Sequence, residues 1–449
     1  MAKEMKMEVI NPRCAGIDIG SRSHYVAIGQ GPTDVKEFGV YADDLTALSK
    51  WLKENGITSV AMESTGTYWQ NLYVELSKDG FELVLVNGKF TKHSHGKKTD
   101  VLDCQWIQKL HTIGLLTSSF LPDETTEQLR TYCRQRTNWL NEAAETSSKM
   151  QKYLKLLNFR LDVVVNDVCG LTGLAIIADI CNGNLDPQKL AEHRHYNCKK
   201  SKEEIAKALK GNNRKDYLFG LKQEYESYQF CQTKISECDK QIEDFVKSEI
   251  NADPFKKKLQ TTDKKHKRIN KNAPNLDLNQ LAYKYFGGVD FMAIEGVSHS
   301  TILSLMSELG PKGFNQFPTA KHFTSWLRLA PNNKISGGRV LSNRIPKGSN
   351  RLKVALRLSA NAIGNLKDTH LSDFFKKVAY RKGRQSAVSA TARKLAVIIW
   401  KMAVNKTPYL PDKEYLFLDQ KRQMKLVTRI RKQIVKFDFK PEQLGFVTG

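Results

Sequence analysis

Four carboxylates and one serine stand where they could do phosphodiester chemistry. Asp18 lies near the end of the apolar run Cys-Ala-Gly-Ile-Asp-Ile-Gly, Glu63 closes the run beginning at Ser59, and Asp100 and Asp103 sit three residues apart where a helical pattern begins. An i,i+3 pair shares one helical face. Carboxylates at adjacent strand ends and a neighbouring helix can converge on a hard divalent cation. Mg²⁺ takes oxygen ligands and keeps several waters, and a pair of ions can clamp the attacking and leaving oxygens of a phosphodiester. Taken singly, each element is ordinary, since Thr-Asp-x-x-Asp is also a helix start with Thr99 or Asp100 as cap. The order and spacing of all four give the pattern its weight.

Ser336 is followed by Gly337 and Gly338 and flanked by Lys334 and Arg339. Glycines beside a serine permit close backbone approach to a phosphate, and neighbouring cations can stabilise the charge of a phosphorane-like transition state. A serine hydroxyl is a weak nucleophile until a base or metal activates it. No G-x-S-x-G elbow surrounds it. Lys347 and Arg351 follow in Pro-Lys-Gly-Ser-Asn-Arg-Leu-Lys and are expected to contact nucleic acid. Upstream, Ile-Glu-Gly-Val at 294–297 followed by a helix resembles a helix-hairpin-helix element, whose glycine lets backbone N–H groups meet a phosphate. A plain helix pair in a core fits those residues equally.

The elements that must position these groups change in texture along the chain. Residues 14–29 form a strand pair, Asp44–Asn55 an amphipathic helix, 59–63 a strand, Tyr68–Lys78 a helix closed by Asp79-Gly80, and 81–87 a buried strand. A basic loop at 88–98 contains His93 and His95, and Asp100–His111 is a helix. This is an α/β pattern. Beyond Pro122, Tyr132, Trp139, Ala143, Thr146, Met150, Tyr153 and Leu157 follow a 3/4 spacing that Arg136 interrupts, and 214–250 repeats the theme. Two long helices in an antiparallel, coiled-coil-like arm are expected. The polar, basic 251–280 stretch is expected to be a flexible linker or a segment ordered by nucleic acid. A helical pattern then runs from Phe286 to about Val404, followed by a basic tail. The resulting division is 1–120, 121–250, 251–285 and 286–449.

The 449 residues carry a net charge of +24. It is unevenly spread: residues 1–120 hold 13 Lys and Arg against 14 Asp and Glu, whereas 286–449 hold 29 against 10. The back of the chain is thus the footprint for a polyanion. Eight cysteines without a Cys-x-x-Cys pair fit reduced thiols. His193, His195 and Cys198 supply no clear fourth ligand at finger-like spacing. With no signal-peptide core and no apolar run long enough to span a bilayer, a soluble cytoplasmic protein is expected.

Together, Gly-Ile-Asp-Ile-Gly, Met-Glu-Ser-Thr-Gly-Thr-Tyr-Trp and Lys-Thr-Asp-Val-Leu-Asp resemble the RuvC-like branch of the RNase H fold. Followed by the Ile-Glu-Gly-Val helix pair and Ser-Gly-Gly ahead of Pro-Lys-Gly-Ser-Asn-Arg-Leu-Lys, they resemble the insertion-sequence 110 family of transposases over nearly the whole chain. The resemblance implies an α/β plus α protein: a RuvC-like domain, a helical coiled-coil middle for dimerisation, and a mostly helical C-terminal transposase domain. It implies a recombinase of a mobile element in a prokaryotic cell, on the nucleoid when active. A structured bridge RNA would pair with double-stranded donor and target DNA. Asp18, Glu63, Asp100 and Asp103 would bind Mg²⁺, and Ser336 would form a covalent phosphoserine link to DNA. Lys334, Gly337, Gly338, Arg339, Lys347 and Arg351 would lie against nucleic acid, and dimers would pair into tetramers. The alternative is a RuvC-like metal-dependent nuclease of the junction-resolvase type, with no covalent intermediate.

Overall fold

The computed structural model describes residues 8–91, 99–260, 271–348, 350–410 and 417–437. The chain divides into two compact units, Met1–Leu121 and Pro122–Gly449.

The first unit is built on a five-stranded sheet. Strands β1 (Cys14–Ile19), β2 (His24–Ala27) and β3 (Val35–Phe38) form an antiparallel meander. Helix α1 (Ala42–Glu54) leads to β4 (Ser59–Glu63), and α2 (Trp69–Lys78) to β5 (Glu82–Val86). The order across the sheet is β3-β2-β1-β4-β5, with β1, β4 and β5 mutually parallel. Parallel neighbours need a crossover, which α1 and α2 supply. A single turn, α3 (Gly88–Thr91), and then α4 (Asp100–Thr112) complete the unit. Leu45, Leu48 and Leu52 of α1 and Leu72 and Leu76 of α2 recur at helical spacing and pack against Ile17, Val26, Val60, Met62 and Leu85 of the sheet. The sequence pattern located every strand but β3, whose Lys36 and Glu37 are exposed and dilute the apolar alternation.

The second unit opens with two long helices, α5 (Glu124–Leu156) and α10 (Lys215–Ala252). They run antiparallel, since Tyr132 meets Phe245, Arg136 meets Asp239 and Trp139 meets Phe230. Between them four short helices, α6 (Leu161–Val164), α7 (Leu171–Cys181), α8 (Pro187–Ala191) and α9 (Lys202–Ala208), share one core with the distal parts of α5 and α10. The segments of α6, α8 and α9 are too brief to show a helical period, that of α7 is apolar almost throughout, and the sequence reading left this cap unassigned.

Arg136 is a structural feature of the seam. Its guanidinium and the Asp239 carboxylate are buried and 2.5 Å apart. The same pair reaches a third segment: Arg136 donates to the Asn272 carbonyl at 3.1 Å, and Asp239 accepts the Asn275 N–H at 3.0 Å. Lys271 pairs with Asp167 nearby. The described part of the expected linker is therefore not free chain. It forms α11 (Pro254–Lys258), is pinned to the arm at 271–275, and enters α12 (Leu278–Tyr285). In its described residues the polar composition goes with anchoring by charge pairs and carbonyls, with little apolar burial. Removing one member of a buried pair strands the other charge. Arg136→Met should therefore lower unfolding stability by about 3–5 kcal/mol, read by urea titration, and the Arg136→Met/Asp239→Leu double variant should recover most of it.

The remainder is a helical bundle. It contains α13 (His299–Glu308), the turn α14 (Gly310–Gly313), α15 (Ala320–Trp326), a hairpin of β6 (Lys334–Ser336) and β7 (Arg339–Ser342), then α16 (Arg351–Ile363), α17 (His370–Lys382), α18 (Arg384–Asn405) and α19 (Phe417–Phe437). Phe286, Phe291, Phe314 and Phe323 form its aromatic centre. The Ile-Glu-Gly-Val turn faces inward. A Cβ on Gly296 would lie 2.4 Å from Ile363 Cγ1 and 2.8 Å from the Ser359 carbonyl oxygen. This glycine serves close packing on α16. No helix among the described residues is long and apolar enough to cross a membrane.

Candidate active site

In the first unit, strand register decides where the carboxylates go. Ile17 of β1 pairs with Met62 of β4 in parallel, so the next residues, Asp18 and Glu63, emerge side by side near the C-terminal ends of neighbouring strands. In parallel sheets this end faces the crevice where ligands bind. Both side chains are half-buried.

Helix α4 brings the third and fourth carboxylates across β1. A Cβ on Gly16 would come within 2.2 Å of the Gln108 amide nitrogen and 2.6 Å of the Cys104 carbonyl oxygen, so the helix backbone lies directly on that glycine. The Cys14 thiol, two residues back along β1, meets Thr112 Oγ1 at 3.2 Å. The helix thus runs opposite to the strand and its first turn overlies Asp18. Thr99 caps it, its Oγ1 accepting the Leu102 N–H at 3.3 Å. Asp100 and Asp103 then sit in the first turn, where the helix dipole favours negative charge. Burial pushes the Cys104 thiol up to about 12, and Asp18 and Asp103 both add to the rise. Tyr25, the cross-strand partner of Asp18, is raised first by its hydrogen bond to Glu37 and further by the charge of Asp100.

Glu63 is held by hydroxyls. Thr91 Oγ1 donates to one carboxylate oxygen at 2.5 Å and Thr65 Oγ1 to the other at 3.4 Å. Gly88 lies against it, with an added Cβ 2.4 Å from Glu63 Oε1. Thr91 and Gly88 were missed by sequence reasoning, which took 88–98 as a basic loop. The only available signal was their position after β5. His93 and His95 lie outside the described residues.

The donor set is all oxygen and suits a hard divalent cation. The side chains do not stand as a closed cluster, however: among the described residues no three His, Cys, Asp or Glu are grouped closely enough to hold a metal ion. At 193–198 the side chains face other partners. His193 pairs with Asp179 at 2.9 Å, the His195 ring lies on Tyr196, and the Cys198 thiol faces the Val164 carbonyl. All eight cysteines are free.

Because Gly16 transmits the position of α4 to the carboxylates, Gly16→Ala is a sensitive test. The helix backbone must shift to admit the methyl, at a cost of about 1–3 kcal/mol. Both the melting temperature and any activity that depends on the four carboxylates should fall. An unchanged melting temperature would mean that α4 is not seated as described.

In the second unit, Ser336 lies at the tip of the β6–β7 hairpin. Gly337 and Gly338 both have positive φ, +54° and +74°, the signature of a two-residue type I′ turn. A Cβ on either would meet nothing within 4 Å. Their backbone conformation makes the turn, and the space beside them is open. Ser336 pairs with Arg339 across the hairpin, and directly opposed residues share a face. Ser336, Lys334 and Arg339 are all exposed, as are Ile335, Val340 and Leu341 at 60–69%. Lys347 and Arg351 are also exposed. Lys347 lies in the loop after the hairpin, and its carbonyl accepts from Arg328 Nη1 at 2.8 Å. Arg351 is the first residue of α16, which Asn350 caps.

Two family models match the chain. One, DEDD_Tnp_IS110, described as a transposase, covers residues 15–159, a range that includes all four carboxylates. The other, described as transposase IS116/IS110/IS902 family, covers residues 290–376, including Ser336 and the cations around it. Together they span just over half of the chain. No curated protein matches it.

Proposed function

The chain belongs to the IS110 family of transposases, enzymes of DNA strand transfer, and from this premise we propose that it is a serine-dependent, RNA-guided recombinase of its own insertion sequence. The observation that carries the reading is the β1–β4 register, which sets Asp18 beside Glu63 under the first turn of α4. The β3-β2-β1-β4-β5 order supports a RuvC-like assignment of the first unit. Residues 121–250 would serve as the dimerisation arm, and 286–449 as the transposase domain.

In the proposed reaction Ser336 Oγ gives up its hydroxyl proton to solvent and attacks a DNA phosphorus. The bond from phosphorus to one deoxyribose oxygen breaks, and that oxygen leaves as a hydroxyl after taking a proton. The phosphodiester energy is kept in the Ser336 ester, so a DNA hydroxyl can later attack the same phosphorus and release the serine without any other energy source. Arg339 and Lys334 lie beside the nucleophile and lower the cost of charge building on the phosphoryl oxygens. Asp18, Glu63, Asp100 and Asp103 would hold Mg²⁺, which supplies Lewis-acid polarisation and activation of an oxygen nucleophile. Thr91 and Thr65 keep the Glu63 carboxylate oriented.

A structured bridge RNA pairing with donor and target DNA would supply sequence choice. The net charge of +24 supports a large polyanionic partner, and subunits would pair as dimers into tetramers. The test is covalent trapping. Protein, Mg²⁺, the RNA encoded beside its gene and labelled DNA are mixed, denatured and resolved. Label that migrates with protein supports the reading, whereas free cleaved ends without an adduct favour a carboxylate-only nuclease.

A further inference from the structure

Three cations gather where the Ser336 hairpin joins the bundle, and none of them was singled out by the sequence. Lys353 and Arg357 are one helical turn apart on α16 and share a face. Arg328 reaches the same place from just beyond α15. Its guanidinium lies across Gly348, where an added Cβ would be 1.5 Å from Nη1, and Nη1 donates to the Lys347 carbonyl at 2.8 Å. Lys353 is 8% exposed, and its Nζ faces the Pro346 and Gly348 carbonyls at 3.4 and 3.5 Å. Arg357 Nη1 donates to Ser389 Oγ at 2.7 Å. The return arm of the hairpin is tied to this spot, since the Asn332 N–H donates to the Arg344 carbonyl at 3.0 Å ahead of Pro346.

Among the described residues no carboxylate pairs with any of the three. The Lys353 ammonium is pushed down by burial and then by Arg357 and Arg328, so like charges are held together without compensation. Buried or half-buried cations are normally paired. A guanidinium carries five N–H donors, and Arg328 and Arg357 each commit one to the contacts above. Such a cluster is short of one anion with several acceptor oxygens. A phosphodiester has that chemistry and matches the fork of arginine.

We propose that Arg328, Lys353 and Arg357 form a seat for one DNA backbone phosphate at the foot of the hairpin that carries Ser336. The seat holds the Pro346–Gly348 loop through its carbonyls and grips DNA through its remaining donors, so that engaging the strand and fixing the hairpin become one event. This rests on the reading of the chain as acting on DNA.

The experiment measures affinity of the full chain for a short random-sequence DNA duplex, and for a single-stranded RNA of equal length, as salt is raised from about 50 to about 200 mM. Each phosphate contact contributes about 0.9 to the log–log slope on duplex DNA. The Arg328→Gln/Arg357→Gln double variant should flatten the duplex slope by about that amount, an affinity loss across the range that is about 3-fold smaller, and each single variant by part of it. Arg357→Lys keeps the charge and should keep the slope, as should Lys207→Gln on the distant cap. Circular dichroism confirms that each variant is folded. An unchanged duplex slope in the double variant overturns the seat, as does a change confined to RNA or a lysine variant that behaves like the glutamine one. Ser336→Ala should leave the slope intact. Failure of the seat appears in the slope, and failure of the serine assignment appears as an adduct that survives Ser336→Ala.

Discussion

Ser336→Ala should abolish the covalent protein–DNA species and lower strand exchange by about 10⁴-fold or more, the scale on which removal of a catalytic nucleophile is felt. Nucleic-acid affinity should be unchanged. The separation is expected because the serine is exposed at the tip of a hairpin whose turn is made by Gly337 and Gly338. Removing one hydroxyl there disturbs neither packing nor the backbone. The exposed cations beside it, Lys334, Arg339, Lys347 and Arg351, remain, and in the proposed reading they would keep their share of the salt-sensitive binding. Denaturing electrophoresis of labelled DNA reads the adduct, and a filter or gel-shift titration reads affinity. An adduct in Ser336→Ala of the same yield as in the parent would assign the covalent chemistry to another residue. Loss of both adduct and affinity would mean that the hairpin itself had collapsed.

The second large effect concerns the carboxylates. Asp18→Asn should reduce cleavage and strand transfer by about 10³-fold, and Asp103→Asn by a similar factor, in line with the several kcal/mol that metal-assisted charge stabilisation contributes. Asparagine keeps the shape and removes the charge. The β1–β2 and β1–β4 pairings use the backbone, so the fold should persist. Magnesium binding, followed by calorimetry on the protein with its nucleic acids, should weaken in parallel. Normal recombination by either variant would sink the metal-site assignment. Glu63→Gln offers a graded comparison: Thr91 and Thr65 donate to Glu63, and a glutamine can accept from only one of them through its oxygen. Its orientation, as well as its charge, should suffer.

The two units failed or succeeded in the sequence for different reasons. Gly-Ile-Asp-Ile-Gly and the run into Glu63 are legible because strands buried on both faces read as apolar runs with punctuated ends. The helix start at Thr99 is legible because capping is a local exchange between one side chain and the backbone two or three residues on. The cap between α5 and α10, the anchored 271–275 segment and the type I′ hairpin were not. The first consists of three helices of four to seven residues and of α7, whose apolar residues run almost unbroken instead of at helical spacing. The second is stabilised by Arg136 and Asp239, partners separated by 103 residues. The third has its apolar residues exposed, so no buried face imposes an alternation that reads outward.

By itself the sequence determined the chemistry available: oxygen-rich carboxylates in a neutral front segment, a serine among glycines and cations in a basic back segment, and the family those motifs belong to. These follow from residue type and short-range spacing. Only the tertiary structure decided which groups meet. Strand register set Asp18 beside Glu63, and Gly16 let α4 lie on β1 with Asp100 and Asp103 in its first turn, toward the Asp18 end of the strand. The return of the chain after the hairpin gathered Arg328 with Lys353 and Arg357. Contacts of that kind depend on backbone approach between segments far apart in the chain, and local propensity carries no record of them.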